Sequence, residues 1–72
     1  MKSEILVSFG KNVRNRRTAM GLSQEQLAER AGLHRPYIGM IERAEKNITL
    51  TNIEKIARAL NIPVSRLLRF GS

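Results

Sequence analysis

The sequence predicts an all-α fold of five short helices, and three observations carry that prediction. Apolar residues recur at three- and four-residue spacing along most of the 72 positions, the period at which one face of a helix turns inward. No segment alternates with period two for long enough to be a strand. Gly and Pro stand singly between the periodic runs, as punctuation.

Leu6, Phe9, Val13 and Met20 repeat at helical spacing and stop at Gly21, a residue suited to the position just past a helix end. The first helix is thus expected over about 4–20. Ser23 is followed three residues later by Gln26, the capping-box pattern in which hydroxyl and amide satisfy each other's orphan backbone donors. A second helix runs from there to Ala31, before Gly32. The third starts around His34 to Pro36, where a proline's missing N–H costs nothing, turns Ile38 and Ile41 inward and ends near Arg43. Thr49 caps a fourth helix with the stripe Leu50, Ile53, Ile56, Ala57 and Leu60, ending at Asn61 ahead of Pro63. Ser65 starts a last turn with Leu67, Leu68 and Phe70.

Thirteen Lys and Arg against six Glu and no Asp give a net charge of +7. That balance points to a polyanion, with nucleic acid ahead of an anionic membrane or an acidic protein. A chain of this size buries only about 60% of its unfolded surface, and with no Cys it has neither disulfide nor thiolate metal site. The apolar content of 42% must supply the core by ordinary packing. One His and no Asp or Cys leave no catalytic relay, so an enzyme is not expected and no metal or cofactor is implied. The longest apolar run, Ile5-Leu6-Val7, is far short of a membrane span or a signal-peptide core, and a cytoplasmic setting is expected.

The second and third helices are separated by about three residues. Ala28 permits a close crossing, Gly32 takes the positive φ of a sharp turn, and Leu33, Ile38 and Ile41 fill the wedge between the helices. These are the mechanics of a helix-turn-helix over about 23–43. The residues Gly21-Leu22-Ser23-Gln24-Glu25-Gln26-Leu27-Ala28, Ala31-Gly32-Leu33, Tyr37-Ile38, Ile41-Glu42-Arg43 and Ile56-Ala57-Arg58-Ala59-Leu60 resemble the Cro and phage-repressor type of helix-turn-helix proteins, the xenobiotic-response-element family. The resemblance covers roughly residues 6–70. Within the family, the Leu33–Gly39 stretch and the Arg43–Leu50 link resemble restriction-modification controller proteins. Two positions depart from the family pattern: His34 stands where Ser or Thr is usual, and Ala44 where Gly is usual.

At 100° per residue from Arg35, Ile38 and Ile41 fall near about 300° and 240°, while Arg35, Pro36, Gly39, Met40 and Arg43 fall between about 0° and 140°. The resemblance implies that this outer face enters the DNA major groove. Arg35 is the first candidate for base readout, since a guanidinium donates two bonds to guanine O6 and N7. Pro36, Gly39 and Met40 share its face. Met40 offers either apolar base contact or simple exposure, and Gly39 either a close approach of DNA to the backbone or simple tolerance. Phosphate contacts are expected at Gln24, at the start of the second helix, and at His34, Tyr37 and Arg43. The resemblance adds Lys46 and Asn47 in the link. It also pairs Arg17 with Glu42, as a structural ion pair rather than a DNA contact.

These readings imply a sequence-specific double-stranded DNA-binding regulator. The chain leaves no room for a ligand-sensing domain, so control through its own concentration is expected, with no small-molecule ligand. Leu67, Leu68 and Phe70 place three large apolar residues within four positions, more than a single turn can bury, and a homodimer interface over about 60–70 is expected. The same packing is implied by the resemblance. Two readings from other classes stay open: an antitoxin-like module whose main partner is a protein toxin, and a cationic membrane-active peptide, against which the capped helices argue.

Overall fold

The computed structural model describes residues 3–69. Along them run α1 (Glu4–Ala19), α2 (Gln24–Ala31), α3 (Arg35–Glu42), α4 (Leu50–Ala59) and α5 (Val64–Leu67), with no strand among the described residues. Each start has a local cause. Ser23 Oγ accepts the Gln26 N–H at 3.0 Å and Gln26 Oε1 accepts the Ser23 N–H at 2.8 Å, completing the capping box of α2. Thr49 Oγ1 accepts the Asn52 N–H at 3.2 Å and opens α4. In α1, Glu4 lies in the first turn and Arg16 and Arg17 in the last, each sign at the end of the helix dipole that favours it.

The helix ends share one device. After α1, α2, α3 and α4 the chain reverses through a left-handed residue, respectively Gly21, Gly32, Ala44 and Asn61. The following amide reaches back to a carbonyl five residues earlier, as in Leu33 N–H to Ala28 O at 2.9 Å and Glu45 N–H to Met40 O at 2.8 Å, the Schellman closure. Ala44 adopts φ 60°, a conformation that costs a residue with a Cβ about 1–2 kcal/mol.

α1 packs on α3, α2 on α3 and α4, and α5 on α1 and α4. The core they enclose is Phe9, Val13, Leu27, Ala28, Ala31, Ile38, Ile41, Ile53, Ile56, Ala57, Ala59, Leu60 and Leu67. Three expectations from the sequence need correction. Leu50 is 80% exposed; it occupies the first turn of α4, about 60° round the helix from Ile53 at 100° per residue, and is left uncovered. Leu67 is fully buried, because α5 folds back onto α1 and α4, so it belongs to the core and not to an interface. The last helix starts at Val64 with Pro63 at its N-cap, and no side chain caps it; Ser65 is already inside. Phe70 lies outside the described residues.

Candidate nucleic-acid interface

α3 turns Ile38 and Ile41 fully inward and leaves Arg35, Pro36 and Arg43 exposed, with Met40 half-buried. These outer residues, Gly39 and Gln24 from the start of α2 line a shallow cleft of about 250 Å³. The two helices are held at this angle by the Gly32 reversal and by Leu27, Ala28 and Ile38 beneath it. Gly39 keeps its expected face and differs only in exposure. It is on the outer face, yet it is buried, and a Cβ built on it would lie 2.9 Å from Arg43 Nη1. The neighbour against this stretch of backbone is therefore the protein's own guanidinium. Arg43 Nε also donates to Glu45 Oε1 at 3.1 Å, across an exposed pair.

Below the cleft, Arg17 of α1 donates to Glu42 of α3 twice, Nε to Oε2 at 2.6 Å and Nη2 to Oε1 at 3.0 Å. The two side chains are only 11% and 4% exposed. Nη1 donates to Leu22 O at 2.7 Å, so the fork ties the first turn to the third helix. Hydrogen bonding to Glu42 raises the Arg17 pKa above the ordinary guanidinium value, against the lowering effect of burial. Gln24 Nε2 donates to Glu42 Oε1 at 3.1 Å. Its amide, expected at a phosphate, is thus held by the buried carboxylate at the floor of the cleft.

The remaining expected residues divide. His34 is exposed at the N-cap of α3 with no cap bond from its side chain. The Tyr37 hydroxyl accepts from Asn52 Nδ2 at 3.0 Å, leaving its own proton available to donate. Lys46 is exposed in the link. Asn47 instead borders a second cleft, of about 270 Å³, with Ile5, Leu6, Phe9, Ile48, Ile53 and Leu68. That cleft is apolar and shares no residue with the first. Exposed Ile5 (57%) and Leu68 (39%) line it.

Sequence reasoning missed two residues that shape these surfaces. Asn12 Nδ2 donates at 2.9 Å to both Leu67 O and Arg69 O, pinning the C-terminal turn to α1; an Asn inside a helix carries no signal for this. Gly10 lies where a Cβ would meet Ile41 O at 2.6 Å and Glu42 O at 2.9 Å. A glycine inside a periodic helix costs about 1 kcal/mol against Ala, and that cost was the available signal for a close helix crossing. Among the described residues no group of His, Cys, Asp and Glu could hold a metal ion.

A family model described as helix-turn-helix matches residues 13–67. The chain is 55% identical over 60 residues to the control protein C.SmaI of Serratia marcescens, covering 83% of this chain and 71% of that protein. It is 45% identical over 71 residues to the control protein C.BamHI of Bacillus amyloliquefaciens, covering 97% and 88%. The crystal structure of the restriction-modification controller protein C.AhdI from Aeromonas hydrophila superposes with a TM-score of 0.85 at 52% identity, over 86% of this chain and 94% of that one.

Proposed function

Because the chain belongs to the helix-turn-helix family and is a DNA-binding transcription regulator of the restriction-modification controller kind, we propose that it acts as a homodimer on an inverted-repeat operator and controls its own synthesis. The family is one of DNA-binding regulators and not a class of enzymes. The observation that carries the reading is the outer face of α3, where Arg35, Pro36, Met40 and Arg43 form a basic, accessible surface opposite a fully buried Ile38 and Ile41. Inserted in a major groove, Arg35 at the first turn meets base edges. His34, the Tyr37 hydroxyl and Lys46 are positioned around it for phosphates, while Gln24 is better read as part of the cleft floor and Asn47 as part of the apolar rim.

The second copy is assigned to the apolar cleft between α1, α4 and the C-terminal turn. Ile5 and Leu68, two of the three exposed large apolar residues among those described, line it, and covering them with the same surface of another copy gives a two-fold arrangement. Two recognition helices then face DNA about one helical turn apart, so half-sites are expected as inverted repeats spaced about 10 to 10.5 bp centre to centre or a multiple of it. Among the described residues no helix is long and apolar enough to cross a membrane, which agrees with a cytoplasmic site of action. Selection of duplexes from a randomised library tests the reading. Enrichment of inverted repeats supports it. Single half-sites, or copurification of the protein with a second small protein that blocks DNA, would favour a monomeric or antitoxin-like role instead.

A further inference from the structure

We propose that Asn12 is a positioning residue for self-association, its amide clamping the backbone on both sides of Leu68 so that this side chain stands in the apolar cleft offered to a second copy. The inference rests on the two-fold reading above and names the residue that prepares that surface. Three features carry it. Asn12 Nδ2 donates at 2.9 Å to Leu67 O and at 2.9 Å to Arg69 O, the two carbonyls that bracket Leu68. Both partners are acceptors, so only the amide nitrogen serves, and its two protons match them. Leu67 is fully buried while its neighbour Leu68 is 39% exposed and lines the apolar cleft with Ile5, Phe9 and Ile53. Asn12 itself lies outside that cleft, in a separate one with Arg16, Ile62 and Arg66. Its effect on self-association therefore passes through the turn it holds.

The turn needs such a clamp. α5 has four residues and no side chain caps its start, so it is far below the length at which a helix holds by itself. Within it the Arg66 N–H reaches Pro63 O at 3.0 Å and the Leu68 N–H reaches Val64 O at 3.1 Å, bonds that fix the shape of the turn but not its orientation on α1. Burial of Leu67 holds it at one point, about which it can still pivot. The Asn12 bonds add two more, one before Leu68 and one after, and remove the pivot. Order present before association is not lost on association, and two copies meet at less entropic cost. An Asp of the same shape turns carboxylate oxygens towards two carbonyl oxygens and donates to neither. An Ala removes the clamp and, with its higher helix propensity, leaves α1 intact.

Sedimentation over a concentration series at neutral pH gives the dimer dissociation constants of wild type, Asn12→Ala, Asn12→Asp, Leu68→Ala and the Asn12→Ala/Leu68→Ala double variant. Amide hydrogen exchange of Asn12→Ala, measured in the Leu68→Glu background where no dimer forms, separates release of the turn from loss of the fold. Both Asn12 variants should weaken the dimer roughly tenfold, and the loss should shrink once Leu68 is Ala. Exchange should quicken at residues 66–68 and stay as in the parent from α1 to α4. Three outcomes overturn the proposal: a wild-type dissociation constant in either Asn12 variant, an undiminished loss in the Leu68→Ala background, or quickened exchange throughout the helices, which would make Asn12 a support of the fold at large. A wild type that forms no dimer at any concentration would instead overturn the two-fold reading beneath it.

Discussion

Glu42 is the residue on which the recognition surface turns, since one carboxylate receives Arg17 from α1 and Gln24 from α2 while itself standing on α3. Removing one member of so buried a pair strands the other charge. Arg17→Met or Glu42→Leu alone should therefore cost about 3–5 kcal/mol, and the double variant less than the sum, as read by urea denaturation; simple additivity would show the two uncoupled. The raised Arg17 pKa fixes the sign of the pH effect. A group whose pKa is higher folded than unfolded contributes fully below the unfolded value and loses its contribution only as pH rises through the folded one. Stability from this arginine should accordingly be constant through neutral pH and decline only in strongly alkaline solution, which thermal melts across pH would show. On the DNA side, Arg35→Ala should lose about 1–3 kcal/mol at one guanine. Lys46→Ala should weaken all duplexes alike and flatten the salt slope by about one unit. Helical geometry made the outward orientation of the α3 face that carries Arg35 readable from sequence alone. The Gln24 bond to Glu42 and the Arg43 seat on Gly39 were not readable, because each depends on side chains from different positions converging in space.

Among the helices, most of the architecture was written in local chemistry: the Ser23–Gln26 box, the Thr49 cap and the left-handed turns all act within six residues of themselves. Gly32, at φ 69° with nothing near its missing Cβ, isolates the conformational term. Gly32→Ala should cost about 1–2 kcal/mol, a fall of several degrees in Tm for a domain of this size. Gly10→Ala makes the opposite argument. Its Cβ would collide with two backbone carbonyls of α3, so overpacking of about 1–3 kcal/mol exceeds the roughly 1 kcal/mol gained in helix propensity, and calorimetry should find the variant less stable. Where local reading failed, the cause was tertiary. Leu50 continues the α4 pattern but lies at an end that the other helices do not cover, and Leu67 is drawn into the core by a turn that Asn12 pins from 55 residues away.

At the scale of the whole molecule two surfaces stand apart, a basic cleft on α2 and α3 that we propose for DNA and an apolar cleft on α1, α4 and the C-terminal turn that we propose for a second copy. Their separation predicts that each can be damaged without the other. Leu67→Glu should unfold the chain, being fully buried, whereas Leu68→Glu, at a side chain 39% exposed, should halve the solution mass and keep the helical signal. Arg35→Ala should keep the mass and lose the preferred site. The most direct measurement of the central claim is sedimentation of wild type and Leu68→Glu, free and with the selected duplex. The account predicts a wild-type dimer, a helical Leu68→Glu monomer, and a complex in which two copies occupy one inverted repeat. Wild type that stays monomeric at tens of micromolar, an order-of-magnitude threshold for weak association, and fills a single half-site would contradict it.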